Sequence, residues 1–219
     1  VRKSTQSELE IKYILDLKDF PGDPNEKLFI KDFNIILNDP EVKVVVETMG
    51  GLHSAYEFVS ACLKADKSVV TSNKELVAAK GCELLKYAAQ HNVNFLFEAS
   101  VGGGIPIIRP ISQCLAANEI DEFAGILNGT TNFILTKMIN DNMAFEDALK
   151  LAQDNGYAER DPSADILGFD ACRKVCILAS LCFGKHVYPE QVHTEGITEI
   201  TLEDVDYAKD WGGVIKLSL

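Results

Sequence analysis

The sequence lacks any apolar run long enough to cross a membrane. Its richest stretch, 175–183, is interrupted by Ser180, whereas a membrane span needs about 18 consecutive apolar residues. Its six cysteines (Cys62, Cys82, Cys114, Cys172, Cys176 and Cys182) contain no C-x-x-C pair. Reduced, buried thiols are therefore expected, as in a cytoplasmic protein. Its four histidines show no zinc-ligand spacing. No G-x-S-x-G elbow occurs, which removes the commonest hydrolase signature. Internal repeats and low-complexity segments are also missing, which disfavours solenoids. Positive charge is in deficit: 21 basic against 33 acidic side chains in 219 residues give a net charge of −12. Such a surface repels phosphate backbones, so nucleic acid is not an expected partner. The polar amino terminus reads as mid-protein sequence, not as an export signal.

What is present suits a globular protein, with 47% hydrophobic and 25% charged residues. Residues 1–98 hold 12 basic and 15 acidic groups and residues 99–219 hold 9 and 18, so the composition shifts near the middle. The first half alternates two periods. Strands are predicted over 10–15, 42–46, 68–71 and 93–97, with helices over 33–37, 53–65 and 75–91. Short connections in a βαβα order signify a doubly wound α/β sheet. The apolar run 42–46 suits a strand buried on both faces. In the second half, helices are predicted over 106–117, 131–140, 144–155, 171–182 and 202–210. The alternating segment 119–127 and the short 195–200 read as strands of an α+β domain. The boundary is placed near 98–105, giving domains of 1–100 and 101–219.

Open parallel sheets bind ligands at the carboxyl ends of their strands. The loops predicted there are small and polar: 47–51 with Gly50 and Gly51, 71–74 with Ser72 and Lys74, and 98–104 with three consecutive glycines. Paired glycines allow close approach of a flat or charged ligand, although a plain tight turn explains them equally well. The dinucleotide fingerprint G-x-G-x-x-G is absent, and Gly102-Gly103-Gly104 does not have its spacing. The sheet reads as a Rossmann domain entered at its second strand, whose end carries Asp16, a residue suited to a ribose hydroxyl.

Chemistry concentrates in 156–174. Gly156 suits a helix cap, Asp161-Pro162 and Gly168 shape a loop, and Asp170 opens the next helix with Lys174 four residues on. An exposed Asp170–Lys174 ion pair would stabilise by only about 0.3–0.5 kcal/mol. The helix is otherwise small and apolar, however, which favours burial. A partly buried lysine beside Glu159, Asp165 and Asp170 could move a proton, and the acids could hold a substrate ammonium. Cys172 and Cys176, one turn apart, suit core packing better than metal ligation.

The pattern Ala152-x-x-x-Gly156-Tyr157-Ala158-x-x-Asp161-Pro162-x-x-Asp165-Ile166-x-Gly168-x-Asp170-x-x-x-Lys174 resembles the signature of the homoserine dehydrogenase family. Further blocks are similar and in the same order: 46–51, Asn73-Lys74, 98–106, 125–132, 206–209 and 214–217. The resemblance implies an incomplete Rossmann-type doubly wound parallel sheet plus an α+β substrate-binding and dimerisation domain. It implies interconversion of L-homoserine and L-aspartate 4-semialdehyde with NAD or NADP, a step toward threonine, methionine and isoleucine. By it, Lys174 is the general acid/base and Lys74 lies between cofactor and substrate. Glu159, Asp170, Tyr157 and Thr130 bind the substrate, while Gly50, Gly51, Ser72, Lys74 and Gly156 meet the cofactor. A sodium ion is implied at the Glu98 carboxylate and the backbone oxygens of Val101, Gly103 and Ile105. A homodimer or dimer-based oligomer is implied through a sheet in the second domain, with 119–127 and 195–200 as candidates.

The chain departs from the family at both ends. The first strand, glycine fingerprint and helix are not in it, and neither is the later glycine-rich return to the nucleotide domain. Asp16 leans toward NAD, and Lys18 could receive a 2′-phosphate. A second reading is a non-catalytic module that oligomerises or binds an amino acid.

Overall fold

The computed structural model describes residues 9–218. These fall into two compact units: one runs to Thr71 and takes in Glu83–Leu96, and the other joins Ser72–Cys82 to the chain from Phe97 onward. The last crossing falls between Leu96 and Phe97, and the second unit also recruits a segment from within the first hundred residues.

The first unit holds small parallel sheets. β1 (Ile14–Leu15) pairs with β2 (Phe29–Ile30) in the register Ile14 to Phe29. α1 (Phe33–Asn38) starts where the Asp32 side chain accepts the Asn34 amide at 2.9 Å. Such a cap satisfies one of the orphan donors of a helix start. β3 (Val44–Glu47), α2 (His53–Lys64), β4 (Ser68–Thr71), α3 (Lys74–Gln90) and β5 (Phe95–Leu96) follow. The second sheet has the order β3-β4-β5, all parallel, with Val46 opposite Val70 and Val69 opposite Phe95. α2 packs against β4 and buries Ala55, Val59, Cys62 and Leu63, a helical stripe. Full burial of a Val or Leu side chain stabilises by about 1.5–3 kcal/mol. The predicted elements of this half are present with shifted ends, and β2 is an addition. One expectation is corrected: β3 is not buried on both faces, because Val44 and Val46 are 49% and 65% exposed. As the edge strand it has one uncovered face among the described residues, and only the central β4 is enclosed.

The second unit is mainly helical. α4 (Ala99–Gly102) is a single turn. α5 (Gly129–Asp141) and α6 (Phe145–Asp154) pack together, and Ile134, Leu135, Met138, Ala148, Ala152, Ile197 and Val205 form their core. α7 (Ser163–Ile166), α8 (Phe169–Phe183) and α9 (Leu202–Asp210) complete the unit. Three expectations are corrected here. The helix predicted over 106–117 is shorter and irregular: 108–109 are helical and run into a wide turn, Pro110–Cys114, closed by the Leu115 amide on the Pro110 carbonyl. Pro110 lies in the first turn, where a missing N–H is tolerated, and Ile111 donates to the Ile107 carbonyl at 3.2 Å. Residues 119–127 join no ladder among the described residues, and neither does 195–200. In the latter, Ile197 donates instead to the Ile166 carbonyl at 2.8 Å, which spends the segment on a loop contact.

Candidate active site

α8 begins where two loops press together. Gly168 has φ +82°, and a Cβ there would lie 2.5 Å from the Glu195 carbonyl oxygen. A Cβ on Gly196 would lie 2.2 Å from the Ile166 oxygen. Only glycine fits either place, because the close approach excludes a side chain at both and the backbone at Gly168 is left-handed as well. This contact fixes the starting point of α8 and so the azimuth of its first turn. Before it, Asp161 receives the Ser163 amide at 3.1 Å and its hydroxyl at 2.5 Å, which holds the start of α7 and keeps the Asp161 carboxyl below its usual range.

Asp170 sits in that first turn, 3% exposed, and Lys174 one turn on is 8% exposed. The Lys174 amine is 2.7 Å from Asp170 Oδ2 and donates to the Leu127 carbonyl at 2.6 Å. Lys74, the first residue of α3, pairs with the other oxygen, Asp170 Oδ1. Arg173 bonds Glu75 at 3.0 Å, which ties α8 to the same end of α3. Asn128, the N-cap of α5, donates to Asp170 Oδ2 at 2.9 Å and to Asp165 Oδ1 at 2.7 Å. Burial pulls the Asp170 carboxyl upward, but the hydrogen bonds from Lys174, Lys74 and Asn128 outweigh it and hold the group below its ordinary value. A buried carboxylate is thus kept ionised between two amines.

Beside this cluster opens a cleft of about 470 Å³, lined by Lys74, Ser100, Asn128, Asn132 and Lys174 among others. It is large enough for a small polar metabolite and presents two amines. Thr130 donates to the Tyr157 carbonyl at 2.8 Å, which ties the start of α5 to the turn after α6. The Tyr157 ring packs on Phe133 and is 59% exposed.

The structure therefore brings together Lys74, Asp170 and Lys174, with Thr130 near the same end of α5. Glu159 departs from expectation. It lies exposed after α6, and among the described residues no hydrogen bond joins its carboxylate to Asp170 or Lys174; its carbonyl accepts from Gln153 at 3.1 Å. Gly156 has φ +74° at the end of α6, with open space where a Cβ would be. Ser72 is exposed at the start of the second unit. In the first unit, Gly50 and Gly51 have φ +73° and +70° and face open space. The loop that holds them is fastened by buried Glu47, whose Oε1 accepts the Met49 and Gly50 amides at 2.7 and 3.1 Å and whose Oε2 accepts the Thr71 hydroxyl at 2.5 Å. Glu98 also differs from expectation. Its carboxylate receives the amides of Ile107, Ile108 and Arg109 at 2.6, 2.9 and 2.8 Å. Both its oxygens thus serve a chain turn, and no group of three or more His, Cys, Asp or Glu side chains able to hold a metal occurs among the described residues.

Sequence reasoning missed Asn128, Glu47 and the Leu127 carbonyl. The first had a local signal, an Asn three residues before Thr131 at a helix start. A backbone carbonyl has none.

Comparison with known proteins identifies the family to which the chain is similar. The family model described as homoserine dehydrogenase matches residues 106–219, and the model for the NAD binding domain of homoserine dehydrogenase matches residues 3–98. The chain is 43% identical over 217 residues to the homoserine dehydrogenase of Bacillus subtilis, covering 99% of this chain and 48% of that protein. The crystal structure of a homoserine dehydrogenase from Thiobacillus denitrificans superposes with a TM-score of 0.84 at 45% identity, over 90% of this chain and 47% of that one. A hyperthermophilic archaeal homoserine dehydrogenase in complex with NADPH matches with a TM-score of 0.66 at 34% identity, over 72% of this chain and 48% of that one. The chain spans about half the length of the curated relatives it matches.

Proposed function

The chain belongs to the homoserine dehydrogenase family, and from that premise we propose that it carries the proton-transfer and substrate-binding centre of an NAD(P)-dependent oxidoreductase interconverting L-homoserine and L-aspartate 4-semialdehyde. The observation that carries the reading is one buried carboxylate, Asp170, held between the Lys74 and Lys174 amines beside a cleft of metabolite size. In biosynthesis this reaction stands on the route to threonine, methionine and isoleucine. Six free thiols, with Cys62 pushed up to about 11 by burial, fit a reducing cytoplasm.

Lys174 is the general acid/base. In the reductive direction its ammonium donates a proton to the aldehyde oxygen, and in the oxidative direction its amine accepts the hydroxyl proton. Asp170 and the Leu127 carbonyl hold the amine in place, so the proton moves without a search over side-chain rotamers. Lys74 supplies a second positive charge on the same carboxylate and lines the cleft, and it is assigned to the boundary of substrate and cofactor. Thr130 and Tyr157 border the substrate, and Glu159, from its exposed turn, is assigned to the substrate ammonium.

NAD or NADP, when bound, exchanges a hydride with the carbinol carbon. The residues fit such a group in one testable respect: Gly50, Gly51 and Gly156 turn open, side-chain-free backbone outward. Gly50, Gly51, Ser72, Lys74 and Gly156 are assigned to it. A sodium ion is assigned to the glycine-rich turn after β5. The Glu98 carboxylate, which also accepts three amides, and the main-chain oxygens of Val101, Gly103 and Ile105 would be its ligands there. A hard cation accepts such an oxygen set. Homodimerisation is assigned to the second unit.

NADPH consumption with aspartate semialdehyde by the purified chain tests the reading. Turnover that requires both compounds supports it. Homoserine binding without any turnover would make the chain a binding module instead.

A further inference from the structure

Asn128 occupies a position that neither helix capping nor packing explains fully. Its Oδ1 accepts both the Thr131 amide at 2.8 Å and the Thr131 hydroxyl at 2.9 Å. That fixes which end of the amide is which, because a flipped side chain would set its NH₂ against two donors and its oxygen against two carboxylates. The Nδ2 end then has two N–H groups, and it gives one to Asp165 and one to Asp170. Asn128 is 6% exposed and Asp170 3%. Capping alone would be met by Ser or Asp at this position. Neither could bridge two acids: Ser has a single donor and an ionised Asp has none.

Resting on the function proposed above, we propose that Asn128 is a positioning residue, the amide bridge that sets the Asp170 carboxylate in the plane where each of its oxygens serves one lysine, with Asp165 as the anchor of that bridge. Asp170 Oδ1 faces Lys74, while Oδ2 is shared by Lys174 and Asn128. Three donors from three elements (α3, α5 and α8) define a plane, whereas two leave the carboxylate free to swing. Without the amide, Asp165 and Asp170 would also face each other as like charges with no donor between them. Other charged groups on the elements packed against α8 are engaged elsewhere. Glu98 caps the amides of 107–109, Glu75 holds Arg173, and Glu190 is exposed in the turn Pro189–Gln191. Lys74, Lys174 and, through Asn128, Asp165 are thus the charged groups facing Asp170.

Asn128→Ser keeps a good helix cap, so its melting temperature is expected within a few degrees of the parent, whereas Asn128→Asp adds a buried carboxylate beside two others and is expected to melt lower. Two readouts apply. The first is the titration of the Asp170 carboxyl followed by ¹³C NMR in the chain itself, which needs no turnover. Its midpoint is expected to rise in Asn128→Ser, and to rise further, by about one pH unit or more, in Asn128→Asp, where a donor becomes a like charge. The second is homoserine oxidation. kcat is expected to fall about tenfold in Asn128→Ser, within the range that misplacing a catalytic group costs, with KM for the cofactor unchanged. An unmoved titration in both variants overturns the proposal, as does parental kcat in both. If the parent shows no turnover but the titration moves as expected, the assigned reaction fails and the bridging role of Asn128 stands.

Discussion

The Lys174 amine lies 2.7 Å from the Asp170 carboxylate one helical turn earlier, with both side chains at most 10% exposed. On a solvated helix the same spacing contributes a few tenths of a kcal/mol. Here burial makes the pair interdependent, since removing either partner strands the other's charge.

Replacing Lys174 by Ala is therefore expected to abolish the proton transfer while leaving the cleft. A fall in kcat of about 10²–10⁴-fold is expected, the usual contribution of a positioned acid/base. Homoserine affinity, measured by calorimetry, should persist. A loss of binding with no change in kcat would assign Lys174 to the substrate instead.

Asp170→Asn should cost stability as well as activity. Two amines would lose their shared anion, and an uncompensated buried charge costs about 3–5 kcal/mol. The pH dependence follows from the lowered carboxyl. Its stabilisation is complete above the unfolded value near 4 and is lost as pH falls through the lower folded value. Denaturant melts from pH 5 to 2 should show a steeper decline in the parent than in the variant.

Gly168→Ala tests the contact that aims α8. The added methyl would meet the Glu195 carbonyl oxygen in a left-handed backbone. A loss of about 2–4 kcal/mol in urea unfolding is expected, in the range of strain at a special backbone position. Parental stability would show that the two loops separate at no cost.

His186 gives a second, independent pH signature. Its Nε2 is buried with no hydrogen-bond partner among the described residues, and its ring packs edge-on against Tyr188. Burial lowers its pKa, outweighing a bond to the Ala78 backbone. A base whose folded value is depressed costs stability as pH falls, beginning at the unfolded value near 6.5. His186→Phe should flatten the decline in melting temperature between pH 6.5 and 5. An unchanged decline would assign it to other groups.

Most of the site was legible because α8 writes it locally. Asp170 and Lys174 are four residues apart on a helix whose apolar pattern signalled burial, and Gly168 marked its start. The strand pattern put Lys74 in a loop suited to ligands, but its pairing with Asp170, 96 residues away, left no local signal. The three amides that Glu98 accepts were not legible, because backbone partners leave no trace in composition. The helix expected over 106–117 is present only over 108–114 and loosens into a wide turn, a change of hydrogen-bond pattern that an apolar spacing does not show. The strand expected over 119–127 had the right alternation. A ladder needs a neighbour as well as a pattern, and none lies alongside among the described residues.

Homoserine oxidation measured from pH 6 to 10 in the parent chain and in Lys174→Ala tests the central claim most directly. The amine must shed its proton before it can take one from the hydroxyl, so parental turnover should climb with pH, and the variant should remain below about 1% of it throughout. A flat parental profile, or a variant that matches the parent, would contradict Lys174 as the group that moves the proton.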